Sequence, residues 1–298
     1  MKIAFLGFGH STVSLISSVG QLDLVSEIAI IEERPALTCD LLQDLQQAIA
    51  ISGSDTRLSA TRDVADLDGS RIVILLPKSS RPMFQSTQAQ HRANLAYTQH
   101  LAKTIKRYAP KAIILSALAP VCSLASTICR ELEAETQQII GLSGGFANAF
   151  LKTEIAHQLG VSVQDVTTLV IGNDAQIYPL SQYCRVGGIP LESLMSAEKL
   201  QELVNRANDK HRKFGGVETP HTLAAWVTQA LTAIVLDKKR IMSVAARVQS
   251  GSASVYLNVP AKIGHHGVEA ILRLDLSEAQ KQQFTELVAK SVAAQRAA

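Results

Sequence analysis

The stretch KIAFLGFGHSTVSLISSVGQLDLVSEIAIIE at residues 2–32 decides the fold of this chain. It begins with an apolar run from Ile3 to Leu6 that stops at a glycine-containing turn, and the following pattern predicts a helix from about Ser11 to Val19. A second apolar run, Glu27 to Ile31, predicts a second strand. Strand, helix and strand in this order form a βαβ unit, whose two strands lie parallel in one sheet.

The turn after the first strand carries part of the G-x-G-x-x-G pattern that binds dinucleotides. Gly7 and Gly9 take the first two glycine places, and Thr12 takes the third. In such turns the first glycine makes the tight bend, and the second lets the backbone approach a pyrophosphate. An ordinary strand-to-helix turn also contains glycines, but the position of this one after the first strand favours a dinucleotide site.

An acidic residue and a histidine complete this candidate cofactor site. Glu32 follows the second strand, roughly twenty residues beyond the glycines, where a carboxylate accepts hydrogen bonds from the ribose hydroxyls of NAD and repels the 2′-phosphate of NADP. The residues therefore favour NAD as the cofactor. His10 lies inside the glycine turn, where it either contacts the pyrophosphate or ribose or is an exposed loop side chain.

The rest of the chain divides into two halves. Apolar runs at Ile72–Leu76 and Ala112–Leu115 follow helical segments, which indicates parallel strands buried on both faces. After Ile140 the pattern changes to further helices and alternating strands. We therefore expect an α/β protein with a doubly wound Rossmann domain over residues 1–141 and a mixed α+β domain over residues 142–298 that completes the pocket.

Composition excludes several classes of function. The 29 basic and 26 acidic residues give a net charge of +3 and are scattered along the chain, which is no footprint for nucleic acid. No apolar run reaches the length of about 18 residues typical of a membrane span, and the apolar start meets Gly7 too early for a signal peptide. The cysteines form no C-x-x-C pair, which favours reduced thiols over disulfides or a metal site. We expect a cytoplasmic protein with no metal.

Several stretches in order along the chain resemble the lactate/malate dehydrogenase family. Beyond the opening unit, the likeness is carried by YAPKAII at 108–114, LGVSVQDV at 159–166 and VGGIPL at 186–191. DKKR at 237–240 and residues 259–269 continue it. Members of the family reduce a 2-keto acid with a hydride from NADH and assemble into dimers or tetramers. The resemblance thus implies NAD as cofactor, a small organic acid as partner, and a homo-oligomer.

The polar groups of this family's chemistry are missing from the matching positions. The resemblance implies a proton-donating histidine, an aspartate that orients it, an arginine that pairs with the substrate carboxylate, and an asparagine in an N-P-V motif. The N-P-V-D run reads APVC at 119–122, and the L-D-x-x-R segment reads FANAF at 146–150. The histidine segment reads NDAQIYP at 173–179, without histidine and one residue short. These replacements predict a substrate pocket that has become apolar.

Three ionisable residues are candidates for a catalytic role. Arg81 falls on the family's first position in the loop after the fourth strand, which helps to choose between substrates. His221 lies at the start of the helix that covers the substrate in the family, although a histidine at a helix start is more often exposed or capping. Asp174 lies close to the lost histidine, although an acid in a surface loop is the ordinary explanation.

Three hypotheses of function are consistent with these residues. In the first, the protein is a catalytically degenerate dehydrogenase homologue that binds a nucleotide and has a binding or regulatory role. In the second, it is an NAD-dependent oxidoreductase for a different hydroxy or keto acid, with Arg81, His221 or Asp174 in new roles. In the third, it is a structural partner subunit that binds no nucleotide. Titration with NADH separates the third from the others, and turnover on keto acids separates the first two.

Overall fold

The first half of the chain folds into a parallel sheet with the strand order β3-β2-β1-β4-β5-β6. The structure is a computed structural model that describes residues 1–32, 39–77, 87–135, 137–214, 219–250 and 253–297. The strands are β1 (Lys2–Leu6), β2 (Glu27–Ile31), β3 (Arg57–Thr61), β4 (Ser70–Leu75), β5 (Ile113–Ser116) and β6 (Ile139–Gly141). The helices of this half are α1 (His10–Gly20), α2 (Cys39–Ile51), α3 (Thr87–Tyr108) and α4 (Val121–Leu132). This order confirms the predicted Rossmann arrangement.

The second half mixes helices with short and long strands, as predicted. Its helices are α5 (Gly144–Leu159), α6 (Ala197–Phe214), α7 (Pro220–Val235) and α8 (Glu278–Ala297). Its strands are β7 (Val166–Thr167), β8 (Val170–Gly172), β9 (Ile177–Pro179), β10 (Arg185–Val186), β11 (Ile189–Pro190), β12 (Arg240–Ser250), β13 (Ala253–Gly264) and β14 (Gly267–Ile271). The α/β class with a mixed second half is therefore confirmed.

One sheet runs through both halves. Strand β12 pairs antiparallel with β6, where Gly141 lies opposite Ala245. The sheet then continues through β13, β8 and β9, while β14 pairs with β13. The predicted division at residue 141 falls at the end of β6 and stays a prediction.

The alternating pattern predicts one strand from Thr167 to Ile171, and this is wrong, because the structure divides the stretch between two sheets. Strand β7 pairs with β10 in a small antiparallel sheet, whereas β8 pairs with β13 and β9 in the main one. Between them, the Thr168 hydroxyl donates to Asn148 Oδ1 on α5 at 3.0 Å. Thr168 and Leu169 thus separate the two short strands, and the Thr168 side chain is turned to α5.

Both faces of the parallel sheet are buried. Along β1, Ile3 and Phe5 pack with α1 and α7 on one face, and Ala4 and Leu6 pack with α3 and α4 on the other. This alternation explains the continuous apolar run, because a strand covered on both faces needs no polar side. Within the described residues, no helix has the length and apolarity to cross a membrane.

Candidate cofactor and substrate site

The glycine turn lies between the neighbouring strands β1 and β4, at their carboxyl ends. Gly7 has a φ of +104°, and a Cβ atom built on it would lie 2.4 Å from the Leu76 carbonyl oxygen. The Leu76 N–H donates to the Leu6 carbonyl at 2.9 Å, which keeps the ends of β1 and β4 close together. Both the backbone conformation and the space thus require glycine here. The strand order reverses at this point, which is where open α/β sheets bind their ligands.

Thr12, in place of the third glycine, is part of the turn itself. Its side chain is fully buried. The hydroxyl accepts from the Gly9 N–H at 3.1 Å and donates to the Gly7 carbonyl at 3.1 Å. These bonds hold the turn in shape, so that the threonine is accommodated without displacing α1. They also use the Gly9 N–H, which is therefore already bonded within the protein.

Helix α1 begins directly after this turn, with no negative charge of its own. Gly9 is its N-cap and supplies no side-chain hydrogen bond, and no acidic residue lies in the first turn. His10 is the first helical residue and is exposed. Because a helix N-terminus carries about half a positive charge, such a start favours an anion.

Glu32 lies at the same edge of the sheet, immediately after β2. It is partly buried, and its backbone N–H donates to the Thr61 carbonyl at the end of β3 at 3.0 Å. The structure therefore places Gly7, Gly9, His10 and Glu32 along one edge, at the ends of adjacent strands. This is the order in which the sequence predicted them.

Asp174 caps helix α4 instead of projecting alone from a loop. Its Oδ1 accepts from the Cys122 N–H at 2.9 Å. Its Oδ2 accepts from the Ser123 N–H at 3.0 Å and from the Ser123 hydroxyl at 3.1 Å. The family's N-P-V-D run would place an aspartate at position 122, where this chain has cysteine. The first turn of α4 thus keeps an anion, but the anion comes from the turn after β8.

Cys122 is a neutral thiol at this helix start. It is buried, and burial together with the neighbouring Asp174 charge raises the pKa of the thiol well above its usual value. A thiol that resists ionisation is a poor nucleophile, because the thiolate is the reactive form. Cys122 is therefore best described as a small buried side chain of the core.

The start of α5 contains apolar residues where the resemblance implies an aspartate and an arginine. Ala147 is 1% exposed and belongs to the core of the second half. The Phe150 ring lies beside two cations from α6, with Lys210 Nζ at 4.7 Å and Arg206 Cζ at 5.7 Å from its centroid. Arg206 also forms an ion pair with Glu154 at 2.8 Å. The predicted loss of polar groups from α5 thus leaves packed side chains, with the nearby charge on α6.

The two predicted catalytic residues that the structure describes, His221 and Asp174, are bonded to different helices. His221 is exposed at the start of α7, and its Nδ1 lies 3.3 Å from the Ser14 hydroxyl of α1. Asp174 is bonded to α4, as described above. Arg81 lies outside the described residues. Their proposed roles in binding or catalysis stay predictions.

His211, a buried histidine on α6, is not among the residues predicted from the sequence. It is 7% exposed, and its Nε2 lies 3.0 Å from the Asn173 carbonyl oxygen. This places an imidazole next to the turn from which the family's histidine is missing. The available signal was spacing, because Leu203, Ala207 and His211 recur every four residues and are all buried.

Comparison with known proteins gives the family of this chain. The model of the lactate/malate dehydrogenase alpha/beta C-terminal domain matches residues 148–293. The malate dehydrogenase of Oceanobacillus iheyensis is 30% identical over 95% of this chain and 93% of its own length. That of Aeropyrum pernix is 31% identical over 94% of this chain and 92% of its own length. The chain belongs to the lactate/malate dehydrogenase family.

Solved structures agree with this assignment. The malate dehydrogenase from Aeropyrum pernix superimposes with a TM-score of 0.89 at 29% identity, covering 99% of this chain and 97% of its own. The lactate dehydrogenase from Cryptosporidium parvum, solved with lactic acid and nicotinamide adenine dinucleotide, has a TM-score of 0.89 at 24% identity, covering 99% of this chain and 97% of its own. The second likeness concerns the fold alone.

Proposed function

We propose that this protein binds NAD(H) at the glycine turn and has a binding or regulatory role, without the family's usual reduction of 2-keto acids. The observation that carries the second part is the position of Asp174. Its oxygens accept three hydrogen bonds from the start of α4, so it is a fixed anion in the turn where the family would have its proton donor. Bound NADH supplies a hydride, but reduction of a keto acid also needs a positioned proton donor and a stabilised alkoxide.

The fit of the cofactor rests on this chain's own residues. The tight bend at Gly7 and the start of α1, which has no acidic residue in its first turn, suit a pyrophosphate, and Glu32 at the end of β2 suits the ribose hydroxyls. Because the Thr12 hydroxyl already accepts from the Gly9 N–H, we expect the phosphates to lie against the first turn of α1 and not against this amide.

The losses on the substrate side support the absence of keto acid reduction. Ala119 has no amide to hold a substrate, and Phe150 has no charge to pair with a carboxylate. Ala147 is packed in an apolar core and cannot orient an imidazole. Loss of general acid catalysis alone is commonly worth about a hundredfold to ten-thousandfold in rate.

Two measurements on the full chain test the proposal. Calorimetric titration with NADH should give a binding isotherm; its absence would support the structural-subunit hypothesis. Loss of NADH absorbance with millimolar pyruvate or oxaloacetate should be slower by at least about a hundredfold than with the malate dehydrogenase of Aeropyrum pernix as control. Turnover near the control rate would refute the hypothesis of a catalytically degenerate protein. The variants His221→Ala and His211→Ala would then identify the proton donor.

Assembly as a homodimer or homotetramer is part of the same proposal, since the resemblance implies it. Light scattering of the purified chain measures it directly. A monomer at micromolar concentration would contradict it without affecting the NADH titration.

A further inference from the structure

A cavity of about 630 Å³ lies in the second half, away from the glycine turn. Its walls are α5, α6, β9 and the start of α8. Pockets for small molecules usually measure about 300 to 1,000 Å³ and combine an apolar lining with a few polar groups. The volume is therefore that of a ligand site.

The floor of this cavity is apolar and fixed. Leu151, Ile155 and Ile177 line it and are each no more than 2% exposed. Asn208 holds the β9 wall, because its Oδ1 accepts from the Ile177 N–H at 2.9 Å and its Nδ2 donates to the Ile177 carbonyl at 3.0 Å. A wall held at both backbone groups of one residue is pre-formed, which lowers the cost of binding.

Six uncharged amides are among the residues that line this cavity. They are those of Gln176, Gln201, Asn205, Asn208, Gln280 and Gln283. Asn208 is bonded to Ile177, Gln280 to Gln182, and Gln201 to Asn205. Primary amides donate and accept hydrogen bonds, and they carry no charge at any pH at which the protein is folded. The donors and acceptors that these internal bonds leave over suit a ligand that has hydrogen-bonding groups of both kinds.

Charged groups are nearly absent from the lining. Among the described lining residues, none is a lysine or arginine, and Glu192 is the one carboxylate. Glu192 Oε1 already accepts from the Ser181 hydroxyl at 2.5 Å. The Cys184 thiol is neutral, since burial raises its pKa. An anion would lose its hydration here without gaining a cationic partner, and this loss is costly.

We infer that this cavity binds a small uncharged molecule, apolar on one side and carrying amide or hydroxyl groups on the other. The occupant thus differs in charge from the dinucleotide proposed for the glycine turn. The two sites share no lining element, because β1, α1 and β2 contribute nothing to the cavity.

Fluorine NMR on the full chain tests this inference with two matched sets of fluorinated fragments, one of neutral amides and alcohols and one of carboxylates. Neutral fragments should bind, and Val204→Trp should weaken them at least tenfold by filling the cavity. Val163→Trp is the matched control, since Val163 is 44% exposed and does not line the cavity. Absence of neutral binders, preference for carboxylates, or equal binding by both variants would overturn the inference.

A variant of an exposed lining residue provides a second test, which does not fill the cavity. It applies if Val204→Trp does not fold. Asn205 is exposed, so Asn205→Lys adds a cation at the mouth and should shift the preference at least tenfold towards carboxylates. An unchanged preference would show that the fragments bind elsewhere. NADH titration of the same samples keeps the proposals apart, because failure of NADH to bind refutes the proposed function and leaves the cavity result unaffected.

Discussion

Helices α1 and α4 begin at the same edge of the sheet, but different groups lie at their N-termini. Each follows a parallel strand, α1 after β1 and α4 after β5, so that both N-termini lie at the carboxyl edge of the sheet. The start of α1 has a glycine cap and no acidic residue in its first turn. The start of α4 has the Asp174 carboxylate on two of its amides.

The two helix starts differ in the expected source of the negative charge. A carboxylate at a helix N-terminus contributes roughly 0.3 to 2 kcal/mol, whichever molecule supplies it. At the start of α1, the proposed NAD site would receive this charge from the cofactor. On the substrate side, an internal aspartate occupies the amides and completes the structure without a ligand.

The largest expected effect concerns the turn before α1. Gly7→Ala should lower the free energy of unfolding by about 3 kcal/mol, because it combines left-handed strain with a collision against the Leu76 carbonyl. Gly69→Ala is the control, since Gly69 also has a positive φ of +74° but no atom within 4 Å of the added Cβ. Its loss should be about 1 kcal/mol. Urea unfolding measures both, and equal losses would show that the close approach to β4 is unimportant.

The next effect concerns the start of α4. Asp174→Asn should lower the free energy of unfolding by about 2 kcal/mol at pH 7. The amide has one acceptor oxygen where the carboxylate has two, and it places no negative charge at the start of the helix. Glu278→Gln is the control, an acid in the first turn of α8 whose side chain is 89% exposed, and it should change stability little. NADH affinity should be the same in both variants. A large loss of NADH affinity in Asp174→Asn alone would contradict the division between the two helix starts.

The smallest effect sharpens the assignment of the α1 start to NAD. NADPH should bind about tenfold more weakly than NADH, equivalent to about 1.4 kcal/mol, because its 2′-phosphate would meet the Glu32 carboxylate. Glu32→Gln should narrow this ratio by removing the like charge. Calorimetric titration with both nucleotides measures it, and equal or tighter NADPH binding by the unmodified chain would overturn the assignment.

The sequence predicted the first strand, helix and strand of the chain well, because their requirements are local. The glycine turn, α1 and β2 lie within residues 2–32, where periodicity and glycine positions determine the structure. The short strands of the second half were harder to predict. Strands β7 and β8 are separated by two residues yet pair in different sheets, and β8 pairs both with the nearby β9 and with the distant β13.

For the substrate side of the site, the sequence predicted only which of the family's polar residues are missing. The missing asparagine, aspartate, arginine and histidine are visible at residues 119–179, but what replaces them depends on packing. Asp174 reaches a helix more than 50 residues away, and His211 arrives from α6 at the turn after β8. No motif links these positions, because the contacts arise from the tertiary fold.

The packing of α7 on α1 means that the first half of the chain cannot complete its core until α7 has been synthesised. Ile3 and Leu15 share one core with Val227 and Leu231, so that one face of the Rossmann half is covered by a helix made much later. A ribosome adding about 5 to 20 residues per second leaves the part of that face beneath α7 uncovered for several seconds after the Rossmann half is complete. A chain that stopped before residue 220 would lack this cover.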